Sequence, residues 1–422
     1  MKKYLPRIYD DALTRRLEAK GAVLIEGPKW CGKTTTALQQ AKSVLYMQNP
    51  EQKNQNLLLA DIRPSELLKG ETPRLIDEWQ LAVKLWDAVR FEVDMRDEFG
   101  QFILTGSSVP PNLSEMSHSG TGRIARLKMR PMSLFESADS TGEVSLAALF
   151  AGEEMPVVQC NTMIEQVAFL TCRGGWPAAI GRTDRIALQQ AFDYLDAVAD
   201  IDISQVDGVE RDRHKAKALM RSYARMTSSQ AFVESIEQDL KVSDSMSINT
   251  VQSYLKALRM IFVVEDLPAW NPNLRSRSAI RTSPTRHYVD PSIATAALGI
   301  GPADLINDLK TFGLMFESLC IRDLRVYADS LDGEVFHYRD KSGLECDAIV
   351  HLRNGSYGLI EVKLGGDMLI NEGAKNLISL RDKIDSNMMK AASFCMVLTA
   401  SSAYSYTRPD GVMVVPVTVL AP

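Results

Sequence analysis

The 422-residue sequence predicts an α/β fold: an open parallel sheet in its first third, a helical middle region and a second, smaller α/β domain. Three observations predict it. Strand-like apolar runs alternate with helix-length segments up to about residue 150, as in a sheet with crossover helices. One run, Ala22-Val23-Leu24-Ile25, leads directly into Gly27-Pro28-Lys29-Trp30-Cys31-Gly32-Lys33-Thr34. Another, Arg74-Leu75-Ile76-Asp77-Glu78, is apolar and ends in two acids.

The stretch from Gly27 to Thr34 is the pattern G-x-x-x-x-G-K-[ST], placed where a strand turns into a helix. Gly27 and Gly32 let the backbone curl so that its N–H groups, including those of Pro28's neighbours Trp30 and Cys31, face phosphate oxygens. Lys33 reaches the β- and γ-phosphates, the Thr34 hydroxyl can hold Mg²⁺, and Thr35 follows at the start of the helix. These residues point to a nucleoside triphosphate with Mg²⁺. Asp77 is the expected second magnesium contact, and Glu78 the residue that orients or deprotonates the attacking water. A third strand, Gln101-Phe102-Ile103-Leu104-Thr105, ends in Gly106-Ser107-Ser108, so a hydroxyl of Thr105 or Ser107 is placed to sense the γ-phosphate. Cys31 reads as a small space-filling residue, with an oxidation-sensitive thiol as the alternative.

The remaining strands of this domain are expected at 44–47 and 123–129, giving a nucleotide-binding domain over 1–150. The Ser-, Gly- and Pro-rich stretch from Pro110 to Gly122 reads as an exposed loop. Arg123 follows it, at the sheet edge that faces a neighbouring subunit in ring-forming ATPases, and is the candidate arginine finger; Arg126 is a weaker one. A basic strand edge that resists pairing is the alternative for both.

Composition narrows the classes. With 45% hydrophobic and 24% charged residues the chain is ordinary globular material, and a net charge of −5 leaves nucleic-acid contact to a local patch. No apolar run approaches a membrane span, and Met1-Lys2-Lys3-Tyr4 lacks a signal-peptide core, so a cytoplasmic location is expected. The six scattered cysteines lack any zinc spacing and read as reduced thiols.

Residues 151–300 read as a helical lid with a winged-helix unit. Helices are expected over 162–172, 185–200 and 214–227. The first is stopped by Gly174-Gly175-Trp176-Pro177, which either only ends the helix or also touches the nucleotide. Two helices near 231–240 and 247–260, the second carrying Lys256 and Arg259, precede strands at 261–264 and 287–289. Between those strands the loop from Asn271 to His287 holds Arg275, Arg277, Arg281 and Arg286 and no acid. A helix pair followed by a basic wing is a DNA-binding arrangement, with protein docking as the alternative use.

Residues 301–422 hold the second α/β domain. Phe316-Glu317-Ser318 lies on a helix, and strands are expected at 334–339, 344–350 and 359–363. Period-2 alternation puts Glu361 and Lys363 on one face. With Asp347 one hairpin earlier, they have the layout of a metal-dependent nuclease: two carboxylates for the metal, a lysine for the attacking hydroxide, and Glu317 as a further carboxylate.

Taken over nearly its full length, the chain resembles a family of bacterial and archaeal ATPases. In that family an AAA+-type module precedes a C-terminal domain of uncertain function related to PD-(D/E)XK nucleases. The residues that carry the resemblance are Gly27 to Thr34, Leu75-Ile76-Asp77-Glu78, Phe102 to Ser108, Arg130-Pro131-Met132-Ser133-Leu134, Gly174 to Pro177 and Ile360-Glu361-Val362-Lys363. The resemblance makes residues 1–150 an AAA+-type ATPase domain and implies ATP hydrolysis, assembly into a homo-oligomeric, hexamer-type ring and association with DNA. One departure is Cys346, where the family's nuclease relatives place Pro before their first metal-binding Asp. The other functional class is a nucleotide-dependent switch that docks a protein partner.

Overall fold

The computed structural model describes residues 4–110, 119–241, 246–271, 283–384 and 389–422. They form two compact units. The first is Met1–Pro131 with Ile201–Arg211 and Lys256–Val263; the second is Met132–Asp200, Asp212–Leu255 and Val264–Pro422. The expected boundaries near 150 and 300 therefore both fall inside the second unit.

In the first unit, helix α1 (Ile8–Ala19) precedes a five-stranded parallel sheet. Its strands are β1 (Ala22–Glu26), β2 (Ser43–Tyr46), β3 (Arg74–Asp77), β4 (Phe102–Gly106) and β5 (Ile124–Lys128), in the spatial order β2-β3-β4-β1-β5. All four pairings are parallel. Ala22, Val23, Leu24 and Ile25 are all buried, the near-continuous apolar run of a strand covered on both faces. Helix α2 (Lys33–Leu38), α3 (Lys53–Ile62) and α4 (Lys84–Arg96) supply the crossovers. Trp79 and Trp86, with ring centroids 5.0 Å apart, pack with Leu85, Val89 and Phe102 in one core cluster.

The second unit begins its helical part with α5 (Ile164–Arg173), α6 (Asp184–Ala197), α7 (Arg213–Arg225) and α8 (Val233–Lys241). Next come α9 (Ile248–Met260), whose residues from Lys256 onward belong to the first unit, α10 (Pro291–Leu298) and the long α11 (Leu309–Ser330). The two helices of the expected winged-helix unit are present as α8 and α9. Its strands are not: the segments meet only through isolated antiparallel bridges, Val264 with Tyr288 and Leu267 with Thr285. Ile261 and Phe262 instead turn the chain out of α9, with Phe262 in the left-handed region at φ 60°.

The C-terminal sheet contains β6 (Gly333–Arg339), β7 (Glu345–Leu352), β8 (Tyr357–Gly365), β9 (Phe394–Ser401), β10 (Tyr406–Thr407) and β11 (Met413–Pro416). Its order is β10-β11-β9-β8-β7-β6, so β8 is interior. Helix α12 (Asp367–Lys383) packs on it, and Ile370, Ala374 and Leu377 share a core cluster with Leu359. Both alternating faces of β8 are therefore covered, and Glu361 is only 1% exposed where alternation alone predicts an open face.

The Gly174–Pro177 segment lies in this unit's core. Trp176 is fully buried, stacks on Tyr194 at 4.2 Å and donates its indole N–H to Ser292 Oγ at 2.9 Å. A Cβ at Gly175 would lie 2.0 Å from the Met132 carbonyl oxygen, which only glycine avoids. Asp290 accepts from the Gly175 N–H at 2.9 Å and pairs with Arg322 at 3.0 Å. These contacts give the segment a packing role within this unit.

Among the described residues no helix is long and apolar enough to cross a membrane. All six cysteines are free and buried. Burial also holds the His337 imidazole down at about 4. An unfolded histidine titrates near 6.5, so the unfolded chain takes up this proton first and stability falls as pH drops from about 6.5 toward 4. The full contribution is about 3 kcal/mol, and His337→Gln should remove that part of the acid loss in urea-unfolding midpoints taken at pH 7.5 and 5.

Candidate nucleotide-binding site

The glycine loop leaves β1 at its C-terminal end and enters α2. Gly27, Trp30 and Gly32 have φ of 155°, 66° and 104°, so three backbone units of one short loop lie in the left-handed region. For Trp30 that conformation carries steric cost, which the surrounding loop must impose. A Cβ at Gly27 would lie 2.0 Å from the Met129 carbonyl oxygen, so that position requires glycine. Pro28 and Cys31 are buried, Trp30 is 45% exposed at the loop's surface, and Thr35 is exposed on α2.

Lys33 is 5% exposed, and its ammonium donates to the carbonyl oxygens of Gly27 at 2.9 Å and Pro28 at 2.7 Å. A buried ammonium held only by neutral carbonyls of its own loop is matched to an incoming anion. The sheet order then explains the rest of the site. Because β4 lies between β1 and β3, Thr105 at its end stands between the loop and Asp77. Asp77 Oδ1 accepts from Thr34 Oγ1 at 2.6 Å and from Thr105 Oγ1 at 2.7 Å. Thr34 and Asp77 are thus adjacent oxygen donors beside the phosphate cradle, a set suited to Mg²⁺, which favours oxygen ligands and substrate phosphates. They fit the ion that the motif implies.

Glu78 follows in the left-handed region at φ 58° and ψ 49°, which turns its side chain out of the strand. Its Oε2 accepts from Ser107 Oγ at 2.9 Å and from Gln80 Nε2. The two hydroxyls of the β4 end therefore divide their work: Thr105 orients Asp77, and Ser107 orients Glu78.

Sequence reasoning missed Arg7 and Gln80. Arg7 is 6% exposed and donates to the carbonyls of Cys31 at 2.7 Å and Arg130 at 2.9 Å, tying the glycine loop to the chain leaving β5. It precedes α1, where Asp10 Oδ2 accepts its backbone N–H at 2.9 Å. Nothing in the sequence marks an arginine 20 residues upstream of a motif as its support. Two charge-assisted hydrogen bonds at roughly 1.5–3 kcal/mol each are at stake. Arg7→Ala should therefore lower stability by about 3 kcal/mol and weaken ATP binding, to be read by thermal unfolding and ATP titration.

Arg123 directly precedes β5, the edge strand beside β1, at the end of the sheet away from the glycine loop. The β5 register runs from Ile124 beside Ala22 to Lys128 beside Glu26, so Arg123 is a strand length, roughly 15 Å, from its own loop. It pairs with Asp94 at 2.7 Å, and Arg126 pairs with Glu26 at 3.0 Å. Both guanidiniums are held by acids of the same unit.

In the second unit, Asp347, Glu361 and Lys363 do converge. Lys363 Nζ is 2.8 Å from Glu361 and 3.7 Å from Asp347, and Asp347 accepts from the Val362 N–H at 2.7 Å. Burial first, and the Asp347 charge second, push the Glu361 carboxyl up to about 8. The same two causes, in that order, hold Glu317 well above the usual range, which brings α11 into the cluster. Burial works against the Lys363 charge, but Asp347 and Glu361 outweigh it and hold the ammonium above its ordinary range. Among the described residues no group of three His, Cys, Asp or Glu side chains is spaced to hold a metal ion. Lys363 is the cation paired with both carboxylates. Cys346, at the family's proline position, is buried with its thiol 3.3 Å from the Ile360 carbonyl.

Of the basic wing, Arg275, Arg277 and Arg281 lie outside the described residues. Arg286 is a correction to the expected DNA contact. It is 6% exposed, pairs with Asp266 at 2.8 Å and donates to the Ala231 carbonyl at 2.9 Å, so its charge is consumed inside the fold.

Comparison with known proteins adds three family profiles. An AAA domain profile matches residues 19–138, and two domains of unknown function match 164–304 (DUF8612) and 312–420 (DUF4143). No curated protein sequence matches the chain. Solved structures with similarity include a Walker-type ATPase of Pyrococcus abyssi, 13% identical over 68% of this chain and 94% of that one, with a TM-score of 0.41. Another is the Hef helicase domain of Pyrococcus furiosus, 10% identical over 94% of this chain and 90% of that one, with a TM-score of 0.20. The profile over 19–138, on a parallel sheet carrying the glycine loop and the acid-ended strand, supports an AAA-type ATPase domain.

Proposed function

We propose that the chain is an Mg²⁺-dependent ATPase of AAA+ type that acts on DNA as an oligomeric ring. One observation carries the ATPase reading: the hydrogen-bonded series Thr34–Asp77–Thr105 beside a buried Lys33 whose ammonium has only loop carbonyls to hold it. Lys33 would draw the β- and γ-phosphates into the loop, and Glu78, aimed by Ser107, would orient the attacking water and accept its proton. Mg²⁺, held by Thr34 and Asp77, would neutralise charge on the β- and γ-phosphate oxygens.

The ring is supported by the position of Arg123. It is too far from its own loop to act there and stands on a sheet edge available to a neighbour, where it would have to leave Asp94. For the C-terminal domain we favour a nuclease-like scaffold without cleavage, because Lys363 occupies the carboxylates that a metal would need. A protein-docking switch is the second reading, favoured by the loss of Arg286 from the basic wing to an internal ion pair.

The ATPase rate with no DNA and with single-stranded, duplex and branched DNA separates them. Stimulation by any of the three is the expected result. Equal rates in all four would remove DNA from the function and leave the docking switch.

A further inference from the structure

Helix α7 carries Arg213, Lys215, Lys217, Arg221 and Arg225 and no acid. Four of these recur every fourth residue, so Arg213, Lys217, Arg221 and Arg225 form one slowly winding stripe with about 6 Å of rise per step. A cavity of about 410 Å³ opens along the middle of that stripe. Lys217, Arg221, Ser222 and Arg225 line it, with Leu195 and Leu240 among its apolar walls and Asp239 as its acid.

We propose that this cavity is a phosphate-binding site, separate from the glycine loop, that takes the phosphate of a nucleotide or of a nucleic-acid strand. Two observations point to a ligand. Arg221 is exposed at the cavity and has no acidic partner among the described residues, whereas its neighbours on the stripe are all paired. Ser222 is 2% exposed, and its hydroxyl has no hydrogen-bond partner, not even the carbonyl one turn back on its own helix. A buried hydroxyl left unpaired is costly in a folded protein unless something else satisfies it.

The chemistry of the lining selects phosphate. A planar guanidinium offers two parallel N–H donors to an oxyanion, and a hydroxyl donor beside it completes a set suited to tetrahedral oxygens. The flanking cations are available for exchange. Arg225 holds Asp239 at 2.7 Å, Arg213 holds Asp200 at 2.9 Å and Lys217 holds Asp196, each pair with at least one half-exposed member. Such partly solvated pairs contribute little and yield to a multiply charged anion. The cavity's volume falls in the range of small-ligand sites. A free nucleotide would engage Arg221, Ser222 and their two neighbours; a strand would place successive phosphates along the stripe out to Arg213.

This inference deepens the DNA part of the proposed function, and rests on that part only for the strand. The test uses the full chain with Lys33→Ala, which empties the glycine loop of nucleotide. Binding of a labelled oligothymidylate is followed by anisotropy at several salt concentrations, and binding of ADP and inorganic phosphate by calorimetry. Each is repeated with Arg221→Glu, Arg221→Gln and Ser222→Ala, with thermal unfolding as the folding control. If a strand is the ligand, the oligonucleotide binds, Arg221→Gln weakens that binding by about tenfold and reduces the salt slope by about 0.7, and ADP shows no binding before or after the substitution. If the ligand is a free nucleotide, ADP and phosphate bind and are lost with either Arg221 variant while no oligonucleotide binds; the DNA reading then fails and the site stands. No binding of any of the three, or binding unchanged in folded Arg221→Gln and Arg221→Glu, overturns the proposal.

Discussion

Lys33→Ala is expected to abolish ATP binding and, with it, turnover. The buried Lys33 ammonium donates to two carbonyl oxygens of its own loop, those of Gly27 and Pro28. Replacing those neutral acceptors by phosphate oxygens converts two modest hydrogen bonds into charge-assisted ones in a site where water is largely excluded. Alanine removes the charge and leaves the loop's curled backbone, whose glycines and positive φ do not depend on the side chain. Removal of one preorganised donor to developing charge typically costs on the order of 10²–10³ in rate, and here ground-state affinity is lost as well. ATP titration of the variant, with a thermal unfolding midpoint close to that of the parent, checks both parts. Parental affinity would show that the loop holds no triphosphate.

Glu78→Gln is expected to do the opposite to binding: ATP stays bound and turnover stops. The substitution is nearly isosteric, and the amide oxygen can still accept from Ser107, so the loop, Lys33 and Asp77 are undisturbed. What is lost is a base at the position where the water's proton must go. General-base contributions are typically on the order of 10²–10⁴, so a fall of that size in turnover with ATP affinity within a few-fold is the expected split. A loss of affinity as large as the loss of rate would instead assign Glu78 a binding role.

The phosphate site was legible in the sequence because a short-range backbone motif specifies it. The order of glycines, lysine and threonine fixes the local curl, and the apolar strands around it have no other place than a parallel sheet. Asp77 was legible for the same reason, as the polar end of a buried run. The supporting groups were not. Arg7, Gln80 and the division of labour between Thr105 and Ser107 depend on which strands become neighbours, and β4 enters between β1 and β3 only in three dimensions.

Elsewhere period-2 alternation misled. It assigns Glu361 and Lys363 to an open face because it takes β8 for a half-exposed strand, whereas β8 is interior and α12 covers that side. The strands at 261–264 and 287–289 have apolar β-formers, yet they meet at single bridges, and Tyr288 is spent on packing against α7. Tyr223 and Tyr288 meet edge to face at 5.0 Å. Arg286 reads as a free cation in a basic loop and is neutralised by Asp266, 20 residues earlier, a pairing that only the fold reveals.

Phosphate release from ATP by the purified full chain, in Mg²⁺ and again after its removal by EDTA, tests the central claim most directly when run beside Glu78→Gln. The account predicts steady release by the parent protein that stops without Mg²⁺, and release near background for Glu78→Gln although that variant still binds ATP. Release that persists at the parental rate in either condition, or a parent protein that binds ATP and never hydrolyses it, would contradict it.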